Sequence, residues 1–257
     1  MSNDKWGNPV YVPTNYATAF GVLGAGTSDV ATPGRSQGYV GTSATTGVAI
    51  RATTYTPLGG AGVQCSFKST SANDSSSGTG AQQVTINYLD SSFNTHSETI
   101  TLNGTTAVNT VGTNYAYIES MQVSQVGSGG GNVGTIEIFT TTGGGGTVWG
   151  SIAAGDNQTF WAHHYVPSGY TCYILGMTCG GTVAAGQTNL NHFGNPSSSN
   201  IPELQIGVTI VHVAGGTWDH DYEIPIAVTG PDLILLVEKP ISSTASTAVA
   251  GFEWVQF

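Results

Sequence analysis

Positive charge is nearly missing from this chain. Its 257 residues include five Lys and Arg against 15 Asp and Glu, a formal net charge of −10. A surface that grips nucleic acid or an anionic membrane needs several cations on one face, whereas Lys5, Arg35, Arg51, Lys68 and Lys239 are scattered. The composition argues against both partners. Charge of either sign is scarce, at 8% of residues, against about a quarter in ordinary soluble domains. Long apolar runs are lacking too: the longest, Leu233 to Val237, falls far short of the roughly 20 residues a membrane-spanning helix needs. Met1 to Lys5 has neither a cationic region nor a following apolar core, so no secretory signal is expected. Cysteine is limited to Cys65, Cys172 and Cys179. An odd number without C-x-x-C spacing offers no redox or zinc motif. Cys172 and Cys179 could pair across a hairpin, but buried free thiols fit cysteine's usual burial better.

What is abundant is glycine, 37 residues of it, set among Ser, Thr and many short apolar alternations. Low charge, many turns and no amphipathic run of helical period describe an all-β protein. The clearest stretch is Ser71 to Gly134. Val84, Ile86 and Tyr88 recur every second position, and Ile100 and Leu102 do so after the turn Asp90 to Asn94. That period predicts a hairpin of two half-buried strands. Asn103-Gly104 closes the second strand, because both residues tolerate positive φ.

The run SANDSSSGTGAQQVTINYLD, followed by SETITLNGTTAVNT and later GSGGGNVGTIEI, resembles segments of virion structural proteins of tailed bacteriophages. The likeness continues through AGDNQTFWAHHYVPSGYTCYILGMT and the closing VAGFEWVQF, covering the chain from about Ser71 onward and weaker between Asn195 and Glu223. The resemblance implies a non-enzymatic virion part without cofactors, within that class a capsid decoration (cement) protein on the outer surface of the capsid. It further implies two β-sandwich, jelly-roll-like domains and a homotrimer whose partners are the major capsid protein or other virion proteins. Competing expectations are a tail, collar or fibre component, and a host-glycan-binding module using the loops near Gly180 to Asn200 and Trp218. A fibre usually carries a slender repeat or a coiled coil, and neither is visible.

In chain order, residues 1–40 read as an extended N-terminal arm. Trp6, Tyr11, Tyr16 and Phe20 follow no strand or helix period, and prolines force extension at Asn8 and Val12. These aromatics are candidates for a partner-binding arm, with packing on the chain's own domain as the other expectation. Residues 41–146 read as a first β-sandwich, with strands at Val48 to Tyr55, Val63 to Ser69, Gln83 to Leu102, Ala107 to Val111, Tyr115 to Val126 and Thr135 to Phe139. Ile118 is out of phase with Met121 and Val123, which predicts a bulge or an early strand break. Gly143 to Gly146 marks the expected domain boundary. Residues 147–257 read as a second, jelly-roll-like sandwich, with strands at Thr147 to Ile152, Gln158 to Val166, Tyr170 to Thr178, Leu204 to Val213, Tyr222 to Val228, Leu233 to Glu238 and Ala248 to Phe257. Gly180 to Pro202 reads as a long surface loop.

Candidate chemistry is thin. Gly129 to Gly134 satisfies G-x-G-x-x-G, but the strand-like Thr135-Ile136-Glu137-Ile138 follows it where pyrophosphate binding needs a helix N-terminus, so a turn is expected. His163-His164 point to opposite faces of a strand, one to the core or a subunit contact and the other to solvent, and so do not share a metal. Asp219, Asp221 and Glu223 fall on one face of an extended segment, with Trp218, His220 and Tyr222 on the other. The carboxylates are metal candidates: a hard cation such as Ca²⁺ bridging two of them would relieve their repulsion, and chelation would then lower thermal stability. The other expectation for this segment is a solvated loop entering a strand. Glycoside hydrolysis by these acids lacks a second acidic cluster. No G-x-S-x-G or Cys/His nucleophile pattern is present.

Overall fold

The computed structural model describes residues 32–42, 48–49, 55, 61–182, 188–194, 210–213, 217–240 and 246–257. The described chain is all-β apart from one 3₁₀ turn at Thr142–Gly144. The first half holds β1 (Thr32–Thr42), β2 (Val48–Ala49), β3 (Ser66–Ser69), β4 (Ala81–Leu89), β5 (Thr95–Thr101), β6 (Val108–Asn109), β7 (Tyr117–Val126) and β8 (Ile136–Phe139). The second holds β9 (Val148–Ile152), β10 (His163–Val166), β11 (Thr171–Thr182), β12 (Thr188–Gly194), β13 (Ile210–Val213), β14 (Thr217–Thr229), β15 (Asp232–Pro240) and β16 (Ser246–Gln256). Among the described residues no helix is long and apolar enough to cross a membrane.

Four sheets enclose two main cores. The sheets β6-β3-β8-β9 and β5-β4-β7 share an interior containing Phe67, Ile86, Ile118, Met121, Ile136 and Ile138, all fully buried. The sheets β1-β16-β11-β14 and β10-β15-β12-β13, the latter with β2 beside β15, pack across Ile174, Met177, Phe252, Ile234 and Leu236. β10 and β15 serve both interiors. Tyr165, Leu233 and Leu235 face the first core while Ala162, Val166, Ile234 and Leu236 face the second. This explains the unbroken run Leu233 to Leu236, since a strand buried on both faces has no polar side to show.

Two segments differ from the sequence expectation. The last part of the expected arm is β1, paired antiparallel with β16 over its whole length, and part of the expected loop after Gly180 is β12, inside its sheet between β15 and β13. Neither TPGRSQGYVGT nor TNLNHFG alternates apolar with polar residues, so period two does not reveal these strands. In β1 the glycine has a packing role: a Cβ on Gly34 would lie 2.1 Å from the Trp254 ring. The run Gly143 to Gly146, read as a boundary, connects β8 to β9 in one antiparallel pair. Gly143, Gly144 and Gly146 have φ of 72°, 73° and 75°, a region that favours glycine. Trp149 and Ile152, beyond the run, belong to the first core.

Asp74 joins the loops of the first half. It is fully buried, and its carboxylate accepts from the Ala81 and Val133 amides at 2.8 and 2.9 Å, the Gly134 amide at 2.8 Å and the Ser69 hydroxyl at 2.6 Å. One side chain thus ties the SANDSSSG loop to the GGGNVG turn. The glycine run adopts close approach here: a Cβ on Gly134 would lie 2.6 Å from the Ser71 nitrogen, and one on Gly127 2.2 Å from the Gly78 carbonyl oxygen. Buried Asn132 continues the junction, donating to the Gly134 and Ala153 carbonyls at 2.7 and 2.8 Å and accepting from the Asn157 amide at 2.9 Å. G-x-G-x-x-G is therefore a packed turn entering β8.

The hairpin β4-β5 forms as read, in register from Gln83 opposite Thr101 to Leu89 opposite Thr95. Its turn is organised by Asp90, which accepts from the Ser92 and Asn94 amides, the Asn94 side chain and His96. Burial pushes the Asp90 carboxyl up, but the hydrogen bonds from Asn94, His96 and Ser92 outweigh it and hold the group at about 2, below its ordinary 3.8. A carboxyl depressed on folding stabilises the fold above its unfolded value and stops doing so as pH falls through the folded one. The urea midpoint of the parent chain should exceed that of Asp90→Asn above pH ~4, and the gap should close toward pH ~2. A gap of constant size across that range would contradict this.

Candidate functional site

The bulge expected near Ile118 is present, and it builds the most polar concavity described. Along the β4-β7 pair Asn87 lies opposite Ser120 and Tyr88 opposite Ile118, leaving Glu119 as the extra residue. Ile118 and Met121 can then both face the core, and Glu119 is re-aimed toward β10. β10 is an edge strand of its sheet, so its outward backbone groups need partners. Glu119 supplies one: its Oε2 accepts from the Tyr165 amide at 2.8 Å, and its Oε1 lies 2.8 Å from His164 Nδ1.

The two histidines do lie on opposite faces of β10, but neither reaches solvent, with exposures of 1% for His163 and 6% for His164. The expectation of one solvent-facing ring fails because β10 is covered on both sides. His163 Nε2 lies 3.1 and 3.0 Å from the Ile118 and Glu119 carbonyl oxygens. Carbonyls only accept, so this nitrogen carries the proton. His164 stacks on Trp254 with ring centroids 3.8 Å apart, and its Nε2 lies 2.9 Å from Gln256 Oε1. Trp254 in turn donates to Ser36 Oγ at 3.3 Å. Three strands of different sheets, β7, β10 and β16, meet through these side chains.

Beside this junction lies a cleft of about 410 Å³ between β1 and β7. Arg35 and Gln37 form one wall, Glu119 and Gln122 the other, and Gln158 and Trp161 close it. A second concavity of about 300 Å³ shares Arg35 and Gln37 and runs past Tyr39, Phe160 and Val249. Tyr39 donates to Asp156 Oδ2 at 2.9 Å and packs against Phe160, ring centroids 5.7 Å apart. Thiol chemistry is suppressed in the interior: burial, and secondarily Glu98, pushes Cys65 up to about 12, and burial followed by Glu119 raises Cys172. All three cysteines are buried outside any disulfide.

The acidic candidates lie elsewhere. Asp219 and Asp221 are exposed on β14, the opposite edge of the β1-containing sheet, and Thr178 donates to Asp219 Oδ1 at 2.8 Å. Trp218 to Glu223 is strand rather than loop. The side chain of Glu223 lies outside the described residues, as do Trp6, Tyr11, Tyr16 and Phe20. Among the described residues no three His, Cys, Asp or Glu side chains gather closely enough to hold a metal. Reading the sequence missed Glu119 as a site residue, although the phase break at Ile118 marked its position. Comparison of the chain with protein-family models, curated proteins and solved structures finds no match.

Proposed function

We propose that this chain is a non-enzymatic structural component of a tailed-bacteriophage virion, and within that class a capsid decoration protein that binds the outer shell as a homotrimer. Two jelly-roll-like sandwiches, one around each core, are the finer architecture of the same proposal. The observation that carries it is how two carboxylates, buried Asp74 and half-buried Glu98, are used. Asp74 is saturated by four donors from its own fold. Glu98 accepts from the Val111 and Gly112 amides at 2.7 and 2.9 Å and from the Tyr115 hydroxyl at 2.8 Å. A general acid or base must face a reacting atom; these acids face turns and strands. That supports a rigid scaffold. A net charge of −10 supports solubility where many copies crowd together.

The mechanism would be mass action: a protein that binds assembled shells and not their separated subunits stabilises the assembly. The aromatic and proline-containing segment of the sequence leads into β1 at Thr32, an edge strand, a firm anchor for a contact arm. Deleting residues 1–20 should leave a soluble, folded protein that no longer cosediments with shells. Cosedimentation equal to that of the full chain would remove the arm from the proposal.

A further inference from the structure

The cleft between β1 and β7 has a chemistry that the shell-binding reading does not use. It is lined by Arg35, Gln37, Gln122 and Gln158, whose side chains end in a guanidinium and three amides. No partner for these four groups is found among the described residues, unlike the carboxylate of Glu119, which is committed to His164 and Tyr165. The backbone beneath them is fixed. Gln158, on the connection between β9 and β10, forms an isolated β-bridge to Gln122 of β7, and Arg35 and Gln37 sit in register opposite Glu253 and Gly251. Their heads therefore project from rigid elements, which lowers the ordering cost of engaging a ligand. At about 410 Å³ the cleft is within the range of small-molecule sites.

We infer that this cleft binds a neutral saccharide. A planar amide presents a donor and an acceptor side by side, and a guanidinium presents paired donors; adjacent ring hydroxyls, each donor and acceptor at once, match such a set. The lining sets one cation, Arg35, against one anion, Glu119, and the chain carries −10 overall, which favours a neutral ligand over an anion. It rules against a simple cation because Arg35 stands opposite. The neighbouring concavity offers Tyr39, 38% exposed, with Phe160 beside it. An apolar sugar face continuing past Arg35 would rest there, on rings of the kind that suit amphipathic ligands.

The test uses the full-length chain on an array of neutral and charged mono- to tetrasaccharides, followed by titration calorimetry with the best neutral hit. The parent should retain a neutral saccharide. Arg35→Ala and Gln158→Ala should each weaken it by about tenfold, while Gln83→Ala, outside the cleft, should leave it unchanged. These side chains lack described partners, so circular dichroism and the thermal midpoint should stay at parent values. Retention of charged glycans alone, no retention, or equal retention by the cleft variants would overturn the inference. It stands apart from the virion reading: shell cosedimentation and saccharide titration succeed or fail independently.

Discussion

Replacing Asp74 with Ala should lower stability by about 4 kcal/mol or more, the largest effect expected of any single polar substitution described here. The carboxylate is fully buried and holds three backbone amides and one hydroxyl. Leaving buried donors unpaired costs about 1–3 kcal/mol each, and the loops on either side lose their common anchor. At about 2–4 °C per kcal/mol for a chain of this size, the midpoint should fall by roughly 8–16 °C. Asp74→Asn separates the causes. Its amide nitrogen can turn toward Ser69 Oγ, which can accept, but the Gly134 amide then meets a donor. About half the loss should remain. Gly80→Ala probes the same contact from outside, since its Cβ would lie 2.1 Å from Asp74 Oδ1. Thermal melts of the three variants check the order; an Asn variant as stable as the parent would show that the carboxylate's charge and acceptors are not what hold the loops.

Glu119→Ala should cost about 3 kcal/mol, because it strips the partner from the Tyr165 amide and from His164 Nδ1, both buried. Glu119→Gln should cost far less, about 1 kcal/mol. A carboxylate only accepts, so His164 Nδ1 donates to Glu119 in the parent; in the variant Oε1 keeps the Tyr165 amide and Nε2 donates to Nδ1 once the ring moves its proton to Nε2, which faces Gln256 Oε1. Chemical denaturation gives both values, and the histidine ring signals in NMR report the tautomer. If Gln proves as damaging as Ala, the ring keeps its proton on Nδ1 and cannot accept from the Gln amide.

The elements legible in the sequence were those whose side chains alternate. β4 and β5 followed from Val84, Ile86, Tyr88 and Ile100, and the bulge followed from the phase break at Ile118. Strands without alternation were not legible: β1 contains Gly34 and Gly38, and β12 is TNLNHFG. The surroundings of His163 and His164 were hidden for a different reason. Alternation assigns a residue to a face of its strand, but the number of layers over that face depends on contacts far along the chain, here Trp254 and Ile118. The cleft was least visible of all. It exists because residues 35, 119 and 158 converge, and none of them belongs to a motif. The acidic run at Asp219 to Glu223 drew attention by local density, yet its two described carboxylates lie on an exposed edge strand with a threonine as neighbour.

The proposal that this acidic set of β-sheets attaches to other virion proteins is tested most directly by stoichiometry. Quantitative mass spectrometry of purified virions should find this chain in hundreds of copies, in a fixed ratio to the major shell protein. A dozen copies or fewer would move it to the tail or fibre, and its absence from purified particles would contradict the account.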